Sequence, residues 1–299
     1  MEPVGGIQME WTEALCQAIR FIEAHLTDDI DACTVARVVY MSPFYFQKGF
    51  ALMTGYTVGE YIRLRRLSIA ALDIAYGKEK VIDAALKYGY QTPESFTKAF
   101  ARFHGCPPGQ MKGHAERIRV FLPLQITVNI IGGNNMDFKT EKMDAFKVIG
   151  FEKEFSIETS YSEIPKFWDD FCARCRQKKY AAPVSDAIEG CMIGEFGVCV
   201  ETRPDEGKFS YLIAGRYDGR PVPKGLTVVE LPANEWAKFR CVGPMPGALQ
   251  TINTKIFREW LPGNPEYQIA SGLNLEWYSA GDTSSADYES GIWLPVKRK

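Results

Sequence analysis

Glu276 and Tyr278 stand two apart in Asn274-Leu275-Glu276-Trp277-Tyr278. In an extended strand that spacing puts Asn274, Glu276 and Tyr278 on one face and Leu275 and Trp277 on the other. A carboxylate partly withdrawn from water among aromatic rings suits a cation, because burial sharpens charge pairing and ring faces attract positive charge. Trp168, Trp236, Trp277, Tyr278 and Trp293 are the candidate aromatic suppliers, with core packing the competing reading for any one Trp. The same Glu–Tyr pair, or Glu195 at the corresponding place of an earlier segment, could instead activate water against an electrophile. Cys172-Ala173-Arg174-Cys175 has the spacing of redox and metal sites. No second pair follows, however, and the cysteines fall on an apolar helical stripe with Ile164, Phe167, Trp168 and Phe171, so packing is the expected role. His25, His104 and His114 form no constellation, and neither a metal nor a cofactor is expected.

A different chemistry is written twice, at Ser42-Pro43-Phe44-Tyr45-Phe46-Gln47-Lys48-Gly49-Phe50 and at Thr92-Pro93-Glu94-Ser95-Phe96-Thr97-Lys98-Ala99-Phe100. Ser or Thr caps a helix N-terminus, and Pro is tolerated at the first helical position because its missing N–H would have no partner there. Phe at i and i+4 then stacks on one inward face, leaving Lys48 and Lys98 on another, free to meet a partner. Each copy follows a short helical segment and a tight turn, at Val39-Tyr40-Met41 and Gly89-Tyr90-Gln91, and is closed by Gly55 or Gly105. Two helix-turn-helix units in tandem would read two successive grooves of double-stranded DNA.

These side chains need elements to hold them, and 299 residues suffice for two domains. Composition is globular, at 46% hydrophobic and 24% charged. No run approaches a bilayer-spanning length and the first residues lack a basic, apolar leader, so a cytoplasmic protein with reduced thiols and no membrane partner is expected. The net charge of −2 hides an asymmetry: between Tyr40 and His114 ten Lys/Arg face five Asp/Glu, the electrostatic footprint of phosphate contact. Helical periodicity is expected over 11–25, 31–38, 43–53, 59–76, 81–88 and 93–104, making an all-α domain over 8–115.

The first domain resembles the DNA-binding domain of the AraC family. The resemblance rests on Met41-Ser42-Pro43-x-x-Phe46-Gln47-Lys48-x-Phe50, Thr54-Gly55-x-x-x-x-Glu60-Tyr61-Ile62-Arg63-x-x-Arg66-Leu67, Ala84-Ala85-x-x-x-Gly89-Tyr90 and Phe96-x-Lys98-x-Phe100-x-x-x-x-Gly105-x-Pro107-Pro108. It implies two recognition helices in adjacent major-groove segments, about one turn of DNA apart. By position, Phe44, Gln47 and Lys48 in the first unit and Glu94, Ser95, Thr97 and Lys98 in the second would face bases, Gln pairing with adenine and Lys with guanine. Arg63, Arg65 and Arg66 are placed for phosphates or intramolecular pairing. Lys replaces a common Arg at 48 and 98, which removes the bidentate fork.

Beyond 120 the pattern changes. Residues 124–130 alternate like a strand and Gly132-Gly133-Asn134-Asn135 breaks it. Strand, helix, strand and strand are expected over 148–155, 164–176, 191–200 and 209–217, and again over 227–242, 249–260, 267–279 and 288–296. The fold class is therefore multidomain: an all-α tandem helix-turn-helix domain, then an α+β domain over 120–299 of two pseudo-twofold strand-helix-strand-strand repeats enclosing a cleft. With Gly225-Leu226, Leu231-Pro232-Ala233, Trp260-Leu261-Pro262, Leu275-Glu276-x-Tyr278 and Ile292-Trp293-Leu294-Pro295-Val296, residues 137–297 resemble the GyrI-like effector-binding domain. That resemblance implies a cleft for small, often aromatic or cationic molecules, with a carboxylate in the Leu-Glu-x-Tyr strand. Together the two domains imply a transcription regulator, not an enzyme, with DNA, a small-molecule effector and RNA polymerase as partners. Hydrolysis of reactive small molecules, or protein binding, by the second domain is the alternative.

Overall fold

The computed structural model describes residues 11–126, 136–157, 159–203 and 207–299. Two compact units result, Met1–Met41 with Thr54–Asn129 and Ser42–Met53 with Ile130–Lys299. They differ from the sequence boundaries at two places: residues 120–126, expected in the second domain, group with the helices, and the first repeated motif moves the other way. Residues 42–53, the first repeated motif, group with the sheet unit rather than with the helices around them.

The first unit holds α1 (Trp11–Ala24), α2 (Ala32–Val38), α4 (Val58–Ala75), α5 (Val81–Lys87) and α6 (Pro93–His104). Its longest helix, α4, begins in a capping box: Thr57 accepts from Glu60 N–H while Glu60 accepts from Thr57 N–H. One face of α4 packs Leu67, Ala71 and Ile74 against Ala84, Ala85, Phe96, Phe100 and Met111. On α1, Glu23 receives Arg65 Nε at 2.8 Å, a second Arg65 nitrogen at 2.7 Å and the Tyr61 hydroxyl at 2.7 Å, tying α1 to α4.

The two turns differ by one residue from the expected alignment. Gly89 takes φ +80° after α5, and its counterpart after α2 is Tyr40 at φ +55°, although the motif spacing pairs Tyr40 with Tyr90. The hydrogen bonds agree: Tyr40 N–H donates to Arg37 O as Gly89 N–H donates to Leu86 O. The second turn thus carries one extra residue before its proline.

Among the described residues the second unit has the strands β1 (Phe138–Met143), β2 (Phe146–Ser156), β3 (Phe196–Arg203), β4 (Lys208–Arg216), β5 (Thr227–Leu231), β6 (Asn234–Val242), β7 (Tyr267–Ile269), β8 (Leu273–Tyr278) and β9 (Glu289–Arg298). They form one antiparallel sheet in the order β1-β6-β9-β8-β3-β4-β2-β5, with β7 on β9. Between them lie α7 (Ser160–Arg176), α8 (Ala182–Gly190) and α9 (Gly247–Lys255), the last running into a π-helical turn, Ile256–Trp260. The helix α3 (Pro43–Thr54) has all but its final residue in this unit. Both repeats of strand, helix, strand and strand are present, with β1 and α8 added, the first strand of the second repeat split at Pro232-Ala233 into β5 and β6, and the strand expected over 267–279 split into β7 and β8. The strand expected over 124–130 does not form at 124–126, and its remainder, with the break at 132–135, lies outside the described residues.

One sheet face buries Val148, Phe196, Val198, Leu212, Ala214, Trp236, Leu273 and Leu275, with Trp277 and Trp293 packed against them. Strand alternation turns Gly197, Cys199, Glu201, Phe209, Tyr211, Asn274, Glu276 and Tyr278 to the other face.

Candidate functional site

Glu276 sits on β8 opposite Gly197 of β3. Its Oε2 accepts the Tyr211 hydroxyl at 2.8 Å and the Tyr278 hydroxyl at 2.9 Å. The Trp168 indole N–H on α7 donates to the Tyr211 oxygen at 2.8 Å, and the Trp168 ring meets Tyr278 edge-on at 5.1 Å. The result is a relay from Trp168 through Tyr211 to a half-buried carboxylate, with no donor on Oε1 among the described residues. Burial first, then the neighbouring Glu276 charge, holds both phenols well above their ordinary pKa, so they stay neutral donors. Phe155 stands edge-on to Tyr211 at 6.2 Å and extends the aromatic wall.

Cys199 lies one strand repeat beyond Gly197 on the same face. Burial pushes its thiol up to about 12, the Glu276 charge pushes the same way, and the Lys48 ammonium of α3 pulls back. Cys199 therefore lies within electrostatic reach of both a carboxylate and an ammonium. Chemically the arrangement is an oriented, half-buried carboxylate with aromatic rings beside it, a set of groups suited to a positive charge.

Of the expected aromatic suppliers, Trp168 and Tyr278 meet at Glu276. Trp236, Trp277 and Trp293 do not. Alternation sends Trp277 to the opposite face, where Trp293 pairs across from Leu275 and Trp236 is fully buried in the same core. Glu195 accepts the Trp277 indole N–H at 3.2 Å, so it too is outside the Glu276 group. Tyr211 and Gly197 were not singled out in the sequence. A glycine inside a strand was the available signal, since it marks close approach of other atoms. Among the described residues no cluster of metal-ligating side chains occurs, and Cys172 is exposed rather than packed.

The candidate base-reading residues divide. On α6, Glu94, Ser95 and Lys98 are exposed and Thr97 is half-buried, with Thr92 capping the helix by accepting from Ser95 N–H. On α3, Phe44, Gln47 and Lys48 are buried, contrary to the expectation of a face free to meet a partner. The cause is that α3 lies with the sheet unit: the Phe44 ring is 4.9 Å from Phe209, and the Lys48 ammonium is 6.0 Å from the Phe257 ring centre. Arg63 is exposed, Arg65 is spent on Glu23, and Arg66 donates to the Leu26 and Asp28 carbonyls.

Comparison with known proteins finds a relative for each part of the chain, and the helix-turn-helix match runs through α3. Residues 139–296 match the family model of the integron-associated effector-binding protein, and residues 35–114 match that of a helix-turn-helix domain. The HTH-type transcriptional regulator YbfP of Bacillus subtilis is 35% identical over 109 residues, 36% of this chain and 37% of YbfP. The transcriptional regulator Rob of Salmonella typhimurium is 30% identical over 96 residues, 32% of this chain and 33% of Rob. The chain thus spans about a third of the length of either relative. The structure of SAV2435 bound to tetraphenylphosphonium is similar at 22% identity and a TM-score of 0.44, over 54% of this chain and 94% of that one. The chain belongs to the integron-associated effector-binding protein family, with an AraC-type helix-turn-helix domain preceding the effector-binding domain.

Proposed function

We propose that this protein is a one-component transcription regulator of the cytoplasm: its helix-turn-helix units read double-stranded DNA, and a lipophilic aromatic cation held at Glu276 controls the reading. The observation that carries the ligand half is the Glu276 carboxylate, oriented by two phenols that both meet Trp168. A cation there would pair with the acid while its rings meet aromatic walls, a combination worth more when water is excluded. The DNA half rests on the exposed polar face of α6 and on Arg63, the former placed for bases and the latter for phosphate. RNA polymerase would be the partner on DNA. No helix among the described residues is long and apolar enough to cross a membrane.

Tetraphenylphosphonium is the probe of choice, since it couples a delocalised positive charge to four rings and is the compound bound in the SAV2435 structure. Calorimetric titration into the full chain should show binding that Glu276→Gln weakens about tenfold, or ~1.4 kcal/mol. Equal affinity in both proteins would remove Glu276 from the site. No binding to the wild type would remove the cation reading. Consumption of an electrophilic compound at the same site would make the domain a hydrolase instead.

A further inference from the structure

The sheet unit already has an occupant. Glu201, two residues beyond Cys199 on the same strand face, accepts the Ser42 hydroxyl at 2.6 Å and the Phe44 N–H at 2.9 Å. Its carboxylate therefore sits at the N-terminus of α3, where unpaired N–H groups and the helix dipole favour negative charge. Gly272 clears the seat: a β-carbon there would fall 2.0 Å from the same Glu201 oxygen. Further along α3, the Tyr45 hydroxyl donates to Leu273 O at the edge of β8. At the far end, Arg258 of the π-helical turn donates to Leu52 O at 3.0 Å and to Met53 O at 3.4 Å. Both ends and the middle of α3 are thus held by the effector-binding domain.

What α3 places there resembles a ligand. Lys48 is 9% exposed, and its ammonium lies 5.8 Å from the ring centre of Phe44, one turn earlier on α3, and 6.0 Å from that of Phe257 in the sheet unit, with no carboxylate within 4.0 Å among the described residues. A buried positive charge held by ring faces is how an aromatic cage treats a cationic guest. Gln47 is buried with its side-chain nitrogen lacking a hydrogen-bond partner. A buried amide left unsatisfied makes the docked helix less stable than its contacts suggest, so that a competitor need not be very strong to remove it.

We propose that α3 is the resident pseudo-ligand of the effector cleft, with Lys48 as its cation. A cationic aromatic effector displaces the helix and thereby frees Phe44, Gln47 and Lys48 for the DNA major groove. The effector half of this inference rests on the cation reading of Glu276, whereas the docking of α3 does not. It commits the regulation to one sign: effector binding strengthens DNA binding, because the same three side chains cannot be buried in the cleft and meet base edges. Phe209, which meets the Phe44 ring of α3, and Tyr211, which bonds Glu276, stand two apart on β4, so the docked helix and the carboxylate share one sheet face.

The test uses the full chain with the double substitution Glu201→Ala/Arg258→Ala, which loosens both ends of α3 and touches neither Glu276 nor a base-reading residue. Arg258→Ala alone, a change at an exposed side chain, guards against misfolding of the double variant. Hydrogen–deuterium exchange over 43–54 should quicken at least tenfold in the double variant and by less in the single one. On duplexes selected from a random pool with wild type plus tetraphenylphosphonium, the double variant without ligand should bind at least tenfold tighter than ligand-free wild type. Unchanged exchange, or faster exchange with unchanged DNA affinity, would overturn the proposal. Tetraphenylphosphonium added to wild type should also quicken exchange over 43–54. If it binds and exchange there is unchanged or slower, displacement is wrong and the cation site stands. If it does not bind, the effector half fails with the cation reading, and the variants decide α3 docking alone.

Discussion

The Tyr211 hydroxyl occupies the space over Gly197, 2.1 Å from where a β-carbon on that residue would stand. The facing Glu276 oxygen would be 2.8 Å from the same point. Tyr211 is 1% exposed, so its ring has nowhere to swing. Gly197→Ala should push the hydroxyl off Glu276 and cost about 1.5–3 kcal/mol, the worth of a hydrogen bond to a charged group. Thermal unfolding should show the loss, and calorimetry should show tetraphenylphosphonium binding at least tenfold weaker. An alanine variant with wild-type melting and binding would mean that the relay does not position the carboxylate.

Lys98 and Arg65 should separate DNA contact from fold. Lys98→Ala removes an exposed side chain and should weaken specific DNA binding by about 1–3 kcal/mol without changing the melting temperature. Arg65→Ala strands Glu23 in a largely buried ion pair and should destabilise the first unit by about 3–5 kcal/mol. Arg63→Ala should weaken binding to all sequences alike and reduce the salt slope by about one. Equal effects of Lys98→Ala on specific and random duplexes would reassign Lys98 to phosphate.

His104 should make the first unit acid-sensitive. Its ring is buried and bonded at both nitrogens: Nε2 reaches Leu67 O at 3.1 Å, and Nδ1 accepts Arg119 N–H at 3.2 Å. Burial first, and Arg119 after it, depress its pKa below the ordinary 6.5. Above pH 6.5 neither folded nor unfolded His104 carries a proton, and there is no penalty. As pH falls through 6.5 the unfolded state binds the proton first, so stability is progressively lost until the folded pKa is passed. Urea midpoints measured from pH 7.5 to 5 should fall more steeply in wild type than in His104→Gln. Parallel slopes would place the acid sensitivity elsewhere.

Tyr40 holds a left-handed backbone with its side chain 80% exposed. That conformation costs a non-glycine residue about 1–2 kcal/mol, and glycine's extra unfolded entropy returns about 0.5–1, so Tyr40→Gly should stabilise by about 0.5 kcal/mol. A lower melting temperature would show that the Tyr40 ring contributes contacts that its exposure conceals.

That turn also shows what local sequence can carry. The helices of the first unit were legible because each has a cap or a proline and an apolar stripe with helical period, as α6 has with Thr92, Pro93, Phe96 and Phe100. The one-residue shift was hidden, because Tyr40 does without glycine what Gly89 does with it. In the sheet unit, β1 reads Phe-Lys-Thr-Glu-Lys-Met, with four polar residues at its centre and too little alternation to announce a strand. The face of Trp277 follows from parity alone, whereas Trp236 and Trp293 depend on which strands pair, and no local pattern encodes pairing. Tyr211 reaches Glu276 across 65 positions of sequence, and Glu201 reaches Ser42 across 159. Such contacts are set by topology, so the carboxylate and its near partner Tyr278 could be found in the sequence and the distant Tyr211 could not.

The most direct test of the account is fluorescence anisotropy on a labelled, selected duplex, with tetraphenylphosphonium titrated into the full-length wild type and into Glu276→Gln. DNA affinity should rise at least tenfold with ligand in the wild type, and the same rise in the variant should need about tenfold more ligand. A flat or falling wild-type response, at concentrations where calorimetry shows the cleft filled, would contradict it.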